Sequence, residues 1–229
     1  MRIKSISLEV TRRCNLNCSH CLRGKAQDII LDINYVNTSF KKVNSINNLN
    51  FTGGEPSLVP EILSDILLIA KKHDIRIGSY FLSTNGIFAE DHFIDTMKSW
   101  NSYCYNMEEE GGKGVAGVQY SNDRYHLCVP ETIKRLEGIP YYTPRYPVAY
   151  MDAGGQFRYL FKEGYGASVG GIQESDKKGL YLNCKGNIIK GCNWSYQSQN
   201  REDLILCHVN DFTEGIYRYF LEESFLEDL

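Results

Sequence analysis

The sequence predicts an α/β fold built on a parallel sheet, and three observations carry that prediction. Strand-like and helix-like segments alternate over the first two thirds of the chain. The motifs rich in Cys, Gly and Glu fall just after the strand-like segments. Near residue 154 the alternation gives way to glycine-rich sequence and a hairpin.

Residues 3–10 place apolar side chains at strand spacing and run into a cysteine-rich loop. Residues 32–46 are expected as a helix, and residues 49–52 as a short strand closed by Gly53-Gly54. Residues 57–73 form the clearest helix: Ser57 is the expected cap, and Ile62, Ile66, Ile69 with Leu63, Leu67, Ala70 recur at helical spacing. Residues 75–82 return as a strand, 89–100 as a helix, 115–120 as extended chain, 131–137 as a short helix and 146–150 as extended. Such alternation gathers ligands at the carboxyl ends of the strands. Beyond residue 154 come Gly164, Gly166, Gly170 and Gly171, then a hairpin over 180–194 turning at Lys185-Gly186-Asn187. The expected division is a core over residues 1–175 and a small C-terminal β-hairpin appendage over residues 176–229.

Composition narrows the function. The 229 residues carry 25 Lys+Arg against 28 Asp+Glu, a net charge of −3, with 42% hydrophobic residues, enough for a sizeable core. No basic run is present, so neither nucleic acid nor a membrane surface is an expected partner. The most apolar stretch, 62–70, contains Ser64 and Asp65 and is too short to span a bilayer. The first residues lack the apolar run of a signal peptide, which makes the cytoplasm the expected location. In a reducing compartment the eight cysteines, Cys14, Cys18, Cys21, Cys104, Cys128, Cys184, Cys192 and Cys207, point to metal ligation or catalysis.

Cys14-Asn-Leu-Asn-Cys18-Ser-His-Cys21 puts three thiolates within eight residues, directly after the first strand. Three thiolates on one loop can hold three corners of a [4Fe-4S] cluster and leave the fourth iron open to a reacting ligand. The competing reading is a structural zinc site completed by His20 or a distant cysteine.

With this loop as anchor, the chain resembles the radical S-adenosylmethionine (radical SAM) superfamily. CxxxCxxC after a first strand is that family's signature. Phe51-Thr-Gly53-Gly54-Glu55-Pro56 is similar to its GGEP motif, Leu82-Ser83-Thr-Asn85-Gly86 to its TNG turn, and the segment from Val118 through Ser121 and Asp123 to His126 to its fourth-strand segment. The resemblance covers residues 1 to about 150. It implies a partial, TIM-like (β/α)6 barrel. It also implies a [4Fe-4S] cluster on Cys14, Cys18 and Cys21, with S-adenosylmethionine met by His20, Gly53, Gly54, Glu55, Pro56, Ser83, Asn85, Ser121 and Asp123. In that family one electron from the cluster cleaves S-adenosylmethionine to methionine and a 5′-deoxyadenosyl radical, which removes hydrogen from a substrate; the protein positions and shields. The implied chemistry is oxygen-sensitive and needs a reductant such as flavodoxin or ferredoxin.

Cys184, Cys192 and Cys207 sit in a segment that resembles a shortened SPASM or twitch hairpin. Two readings stand: an auxiliary iron-sulfur cluster, with Cys128 or Cys104 as further donors, or small buried side chains. That resemblance implies a peptide or protein substrate rather than a small molecule. The alternatives are a glycyl-radical-enzyme activase and, from another class, a non-catalytic zinc or iron-sulfur redox module. Three weaker signals are set aside: the GxGxxG match at 112–117, which lacks a strand before and a helix after; the tyrosine-rich 139–152 with Arg145; and the acidic end, 222–228.

Overall fold

The computed structural model describes residues 1–105, 117–121, 126, 129–139, 143–145, 153–175 and 177–217. Their order is β1 (Arg2–Thr11), α1 (Ile33–Phe40), β2 (Ser45–Gly53), α2 (Pro60–Lys72), β3 (Arg76–Thr84), α3 (Asp91–Tyr105), β4 (Gly117–Ser121), α4 (Pro130–Leu136), β5 (Thr143–Arg145), β6 (Phe157–Phe161), α5 (Gly164–Ser168), β7 (Gly171–Gln173), β8 (Leu180–Leu182), β9 (Asn187–Lys190) and β10 (Ile205–His208).

The alternation expected from the sequence is present. One eight-stranded sheet runs β10-β9-β8-β1-β2-β3-β4-β5, and among the described residues it is open, with β10 and β5 at its ends. Every pairing from β8 to β5 is parallel, so six parallel strands stand side by side. The sixth is added next to β1 by the C-terminal segment rather than after β5. The hairpin expected as an appendage is therefore part of the main sheet: Ile6, Ser7 and Leu8 pair with Leu180, Tyr181 and Leu182, and β9 and β10 continue antiparallel beyond them. The glycine-rich region forms its own two-stranded sheet, β6 with β7.

Two boundaries differ from expectation for local reasons. The helix expected over 32–46 stops at Phe40, because Asn44 donates to the Met1 carbonyl and Ser45 and Ile46 pair with Arg2 and Ile3, which starts β2 early. Asn47 and Asn48 disguised that start, since asparagine is a poor strand former. Ser57 does not cap α2 either. The helix begins at Pro60, a residue suited to a first turn, and Ser57 lies in a 3-10 turn, Pro56–Leu58, whose cap is the Glu55 carboxylate.

The core is continuous from the sheet into α1, α2 and α3. Trp100, wholly buried, donates to the Leu63 carbonyl at 3.1 Å and meets the Phe51 ring at 5.0 Å. This aromatic plug joins α2, α3 and β2 and satisfies its own N–H, so the large burial carries no unpaired donor.

Candidate functional site

The cysteine loop leaves the carboxyl end of β1, and two further turns from neighbouring strands are laced to it. Gly54 N–H donates to the Thr11 carbonyl and Glu55 N–H to that of Arg13, both at 2.8 Å. A Cβ on Gly53 would lie 2.1 Å from the Thr11 oxygen and one on Gly54 2.0 Å from the Arg13 oxygen. Here the glycines serve a backbone-to-backbone approach between two loops.

Glu55 is 1% exposed and accepts from Ser57 N–H at 3.0 Å, Thr84 Oγ1 at 2.7 Å and Asn85 N–H at 2.7 Å. It thus braces the turn after β2 against the turn after β3. Burial pushes its carboxyl up, while those donors pull it back. Asn85 completes the lacing: its amide donates to Asn15 Oδ1 at 2.7 Å, inside the cysteine loop. Ser83 is half-buried on β3, and Ser121 lies at the end of β4 in register with Arg145. Asp123, Cys128, residues 112–116, 146–150 and 222–228 fall outside the described residues.

Cys14, Cys18 and Cys21 are all half-buried. Burial, with Glu55 and Cys21 nearby, pushes the Cys14 thiol up. Among the described residues no three His, Cys, Asp or Glu side chains converge as they would on a single metal ion. A cluster with several irons does not require that convergence, and a partly exposed set of three thiols suits it better than a closed four-ligand zinc site. His126, a residue quoted in its motif but given no role by the sequence, lies beside this set: Nε2 is 3.9 Å from Cys18 Sγ, and its ring meets that of His20 edge-on at 5.4 Å.

The other wall of the loop comes from the C-terminal half. Tyr165 N–H donates to the Cys21 carbonyl at 2.8 Å, and a Cβ on Gly164 would lie 2.4 Å from the Leu22 oxygen. Below the loop sits a buried polar network that sequence reasoning missed. Glu9, wholly buried, holds Arg12 at 2.6 Å and accepts from Tyr181 OH at 2.8 Å, Gln199 Nε2 at 2.8 Å and Cys184 N–H at 3.1 Å. Arg12 also donates to Gln199 Oε1 at 2.8 Å and stacks over Tyr196 at 4.5 Å. Burial alone would push the Glu9 carboxyl up, but Arg12 and Arg23 outweigh it and hold Glu9 below its ordinary value. The one available signal was a glutamate set between Leu8 and Val10 near the end of the strand, with Arg12 and Arg13 just beyond. Of the hairpin cysteines, Cys184 spends its thiol on the Glu9 carbonyl at 3.1 Å and Cys207 is pushed up to about 11 by burial.

Residues 8–109 match the family model of the Radical SAM superfamily. YydG of Bacillus subtilis (strain 168), named provisionally for peptide biosynthesis, is 25% identical over 149 residues, 63% of this chain and 43% of that protein. A GTP 3′,8-cyclase of Clostridium botulinum (strain Hall) is 32% identical over 108 residues, 43% of this chain and 32% of that protein. The chain thus spans less than half the length of these relatives. Among solved structures, native anSMEcpe with bound AdoMet and Cp18Cys peptide superposes with a TM-score of 0.53 at 12% identity, covering 95% of this chain and 80% of that one; the likeness is one of fold.

Proposed function

From the radical SAM domain that the chain carries over residues 8–109, we propose that the protein is an enzyme that generates a radical from S-adenosylmethionine to modify a peptide. The observation that carries this reading is the junction of three loops at one end of the parallel sheet. The cysteine loop, the Gly-Gly-Glu-Pro turn and the Thr-Asn-Gly turn are locked together by the bonds Gly54 to Thr11, Glu55 to Arg13 and Asn85 to Asn15. When bound, a [4Fe-4S] cluster held by Cys14, Cys18 and Cys21 would supply the electron that cleaves S-adenosylmethionine.

The chain's own residues hold and shield. The Gly54 and Glu55 bonds fix the base of the cysteine loop, so the three thiols are presented from a braced frame instead of a free loop. Glu55, whose two oxygens take bonds from Ser57, Thr84 and Asn85, is the acceptor that the resemblance assigns to an ammonium group. His20, Gly53, Pro56, Ser83, Asn85, Ser121 and Asp123 are the further contacts implied by the resemblance. Tyr165 and Gly164 close the Cys21 side. A peptide substrate is supported by the name of the Bacillus subtilis relative.

Anaerobic reconstitution with iron and sulfide tests the reading. The expected result is a brown protein that forms 5′-deoxyadenosine on reduction, and a Cys18→Ala variant that forms none. A colourless zinc protein, or one that binds iron and leaves S-adenosylmethionine intact, would overturn it.

A further inference from the structure

A cavity of about 340 Å³ opens beyond Cys21, and no residue of the three motif turns is among its described walls. Its walls come from the segment of Arg23, Gly24, Lys25 and Gln27, from Gly164 and Tyr165, and from Ser195 to Gln197. Among the described lining residues are two cations, Arg23 and Lys25, and no carboxylate. Glu163 backs the Ser195 segment, where its Oε2 accepts from Ser195 N–H at 2.9 Å and Ser198 Oγ at 2.8 Å, without entering the lining.

Arg23 is 7% exposed. Its guanidinium donates to the Trp194 carbonyl at 2.6 Å and lies over the Tyr181 ring at 4.9 Å. The acid that balances it is Glu9, which is already in direct contact with Arg12. Two buried guanidinium groups thus share one carboxylate; burial works against the Arg23 charge, and Glu9 is among the groups that sustain it. A guanidinium carries five N–H donors in a fixed fork that matches a carboxylate or phosphate, and Lys25 adds a second charge at the exposed rim.

We propose that this cavity is a binding site for an oxyanion, a carboxylate or phosphate group seated between Arg23 and Lys25. The site is additional to the S-adenosylmethionine motifs and rests on its own geometry. It places a charged recognition point one loop away from the thiols, where an acidic side chain or a phosphorylated group would anchor a molecule presented to them.

Calorimetric titration of the whole reconstituted protein at low salt tests it, with inorganic phosphate in one arm and succinate in the other, and neither S-adenosylmethionine nor reductant present. Saturable binding in either arm, weakened about tenfold by Lys25→Glu and lost in Arg23→Gln, is the expected result, and the stronger arm names the group. Because Arg23 also ties down Trp194, Lys25→Glu decides the matter if Arg23→Gln does not fold. The absence of saturable binding in both arms, or equal affinity in wild type and Lys25→Glu, would overturn the site. Either result leaves the radical chemistry to be judged by 5′-deoxyadenosine formation, which this titration does not read.

Discussion

The cysteine loop is held from two sides by different means. On the side of β2 and β3 the bonds are mostly backbone to backbone or backbone to one carboxylate, and glycines at 53 and 54 make the approach possible. On the side of β8 the joint is made of side chains: Glu9, Arg12, Tyr181 and Gln199, drawn from segments more than 170 residues apart. A backbone joint writes itself into short motifs, because only glycine tolerates the contact. A side-chain joint leaves scattered polar residues that look individually unremarkable. Both are buried, so both depend on every partner being present.

The difference is measurable. The largest expected effect is at the side-chain joint: Glu9→Leu strips the common anion from Arg12 and Arg23 and costs about 4 kcal/mol, the range for an ion left buried without its partner. Urea unfolding reads this directly, and a loss under about 1 kcal/mol would mean that the joint does not hold the hairpin. Gly54→Ala follows at about 3 kcal/mol, since its Cβ meets immovable backbone; iron bound per chain should fall with it. Gln199→Ala leaves Glu9 and Arg12 each one bond short and costs about 2 kcal/mol without lowering iron content at 25 °C. Asn85→Ala removes the bonds to exposed Asn15 and from Ile87 N–H, costs about 1 kcal/mol, and loosens the loop enough for faster proteolysis after residue 15.

Acid separates the two joints without mutation. The Glu9 carboxyl is held below its ordinary 4.5, so its contribution is complete above that value and is lost as pH falls through it toward the native value, where the unfolded chain takes up the proton first. Glu55 is raised above 4.5, so its native form takes up the proton first and mild acid relieves rather than weakens the turn. Melting followed from pH 7 downward should therefore hold or rise before it falls below 4.5. A steady decline beginning near pH 7 would contradict the assignment of Glu55.

Much of the motif-bearing side was legible in the sequence. Strand after helix, three thiols after β1, and Gly-Gly-Glu-Pro after β2 could be read because period and punctuation are local properties. Ser57 misled because a hydroxyl near a helix start usually caps it, whereas α2 starts three residues later at Pro60, behind Val59 and without a side-chain cap, and Ser57 lies in a 3-10 turn capped by Glu55. The hairpin at Lys185-Gly186-Asn187 was legible too, but its attachment was not: parallel pairing of β8 with β1 is a non-local choice that no turn residue encodes. Glu9 and Gln199 belong to the same class of signal, meaningful only once each has found the other.

The late arrival of β8 has a consequence for the newly made chain. During synthesis β1 has one neighbour, β2, and an open edge until residues 180–182 emerge to cover it. An uncovered strand edge invites association with other chains, and natural sheets blunt such edges with inward-pointing charge. Glu9 and Arg12 stand at that edge. The pair that later locks the finished sheet puts charge at that edge while it is bare, which disfavours pairing with another chain.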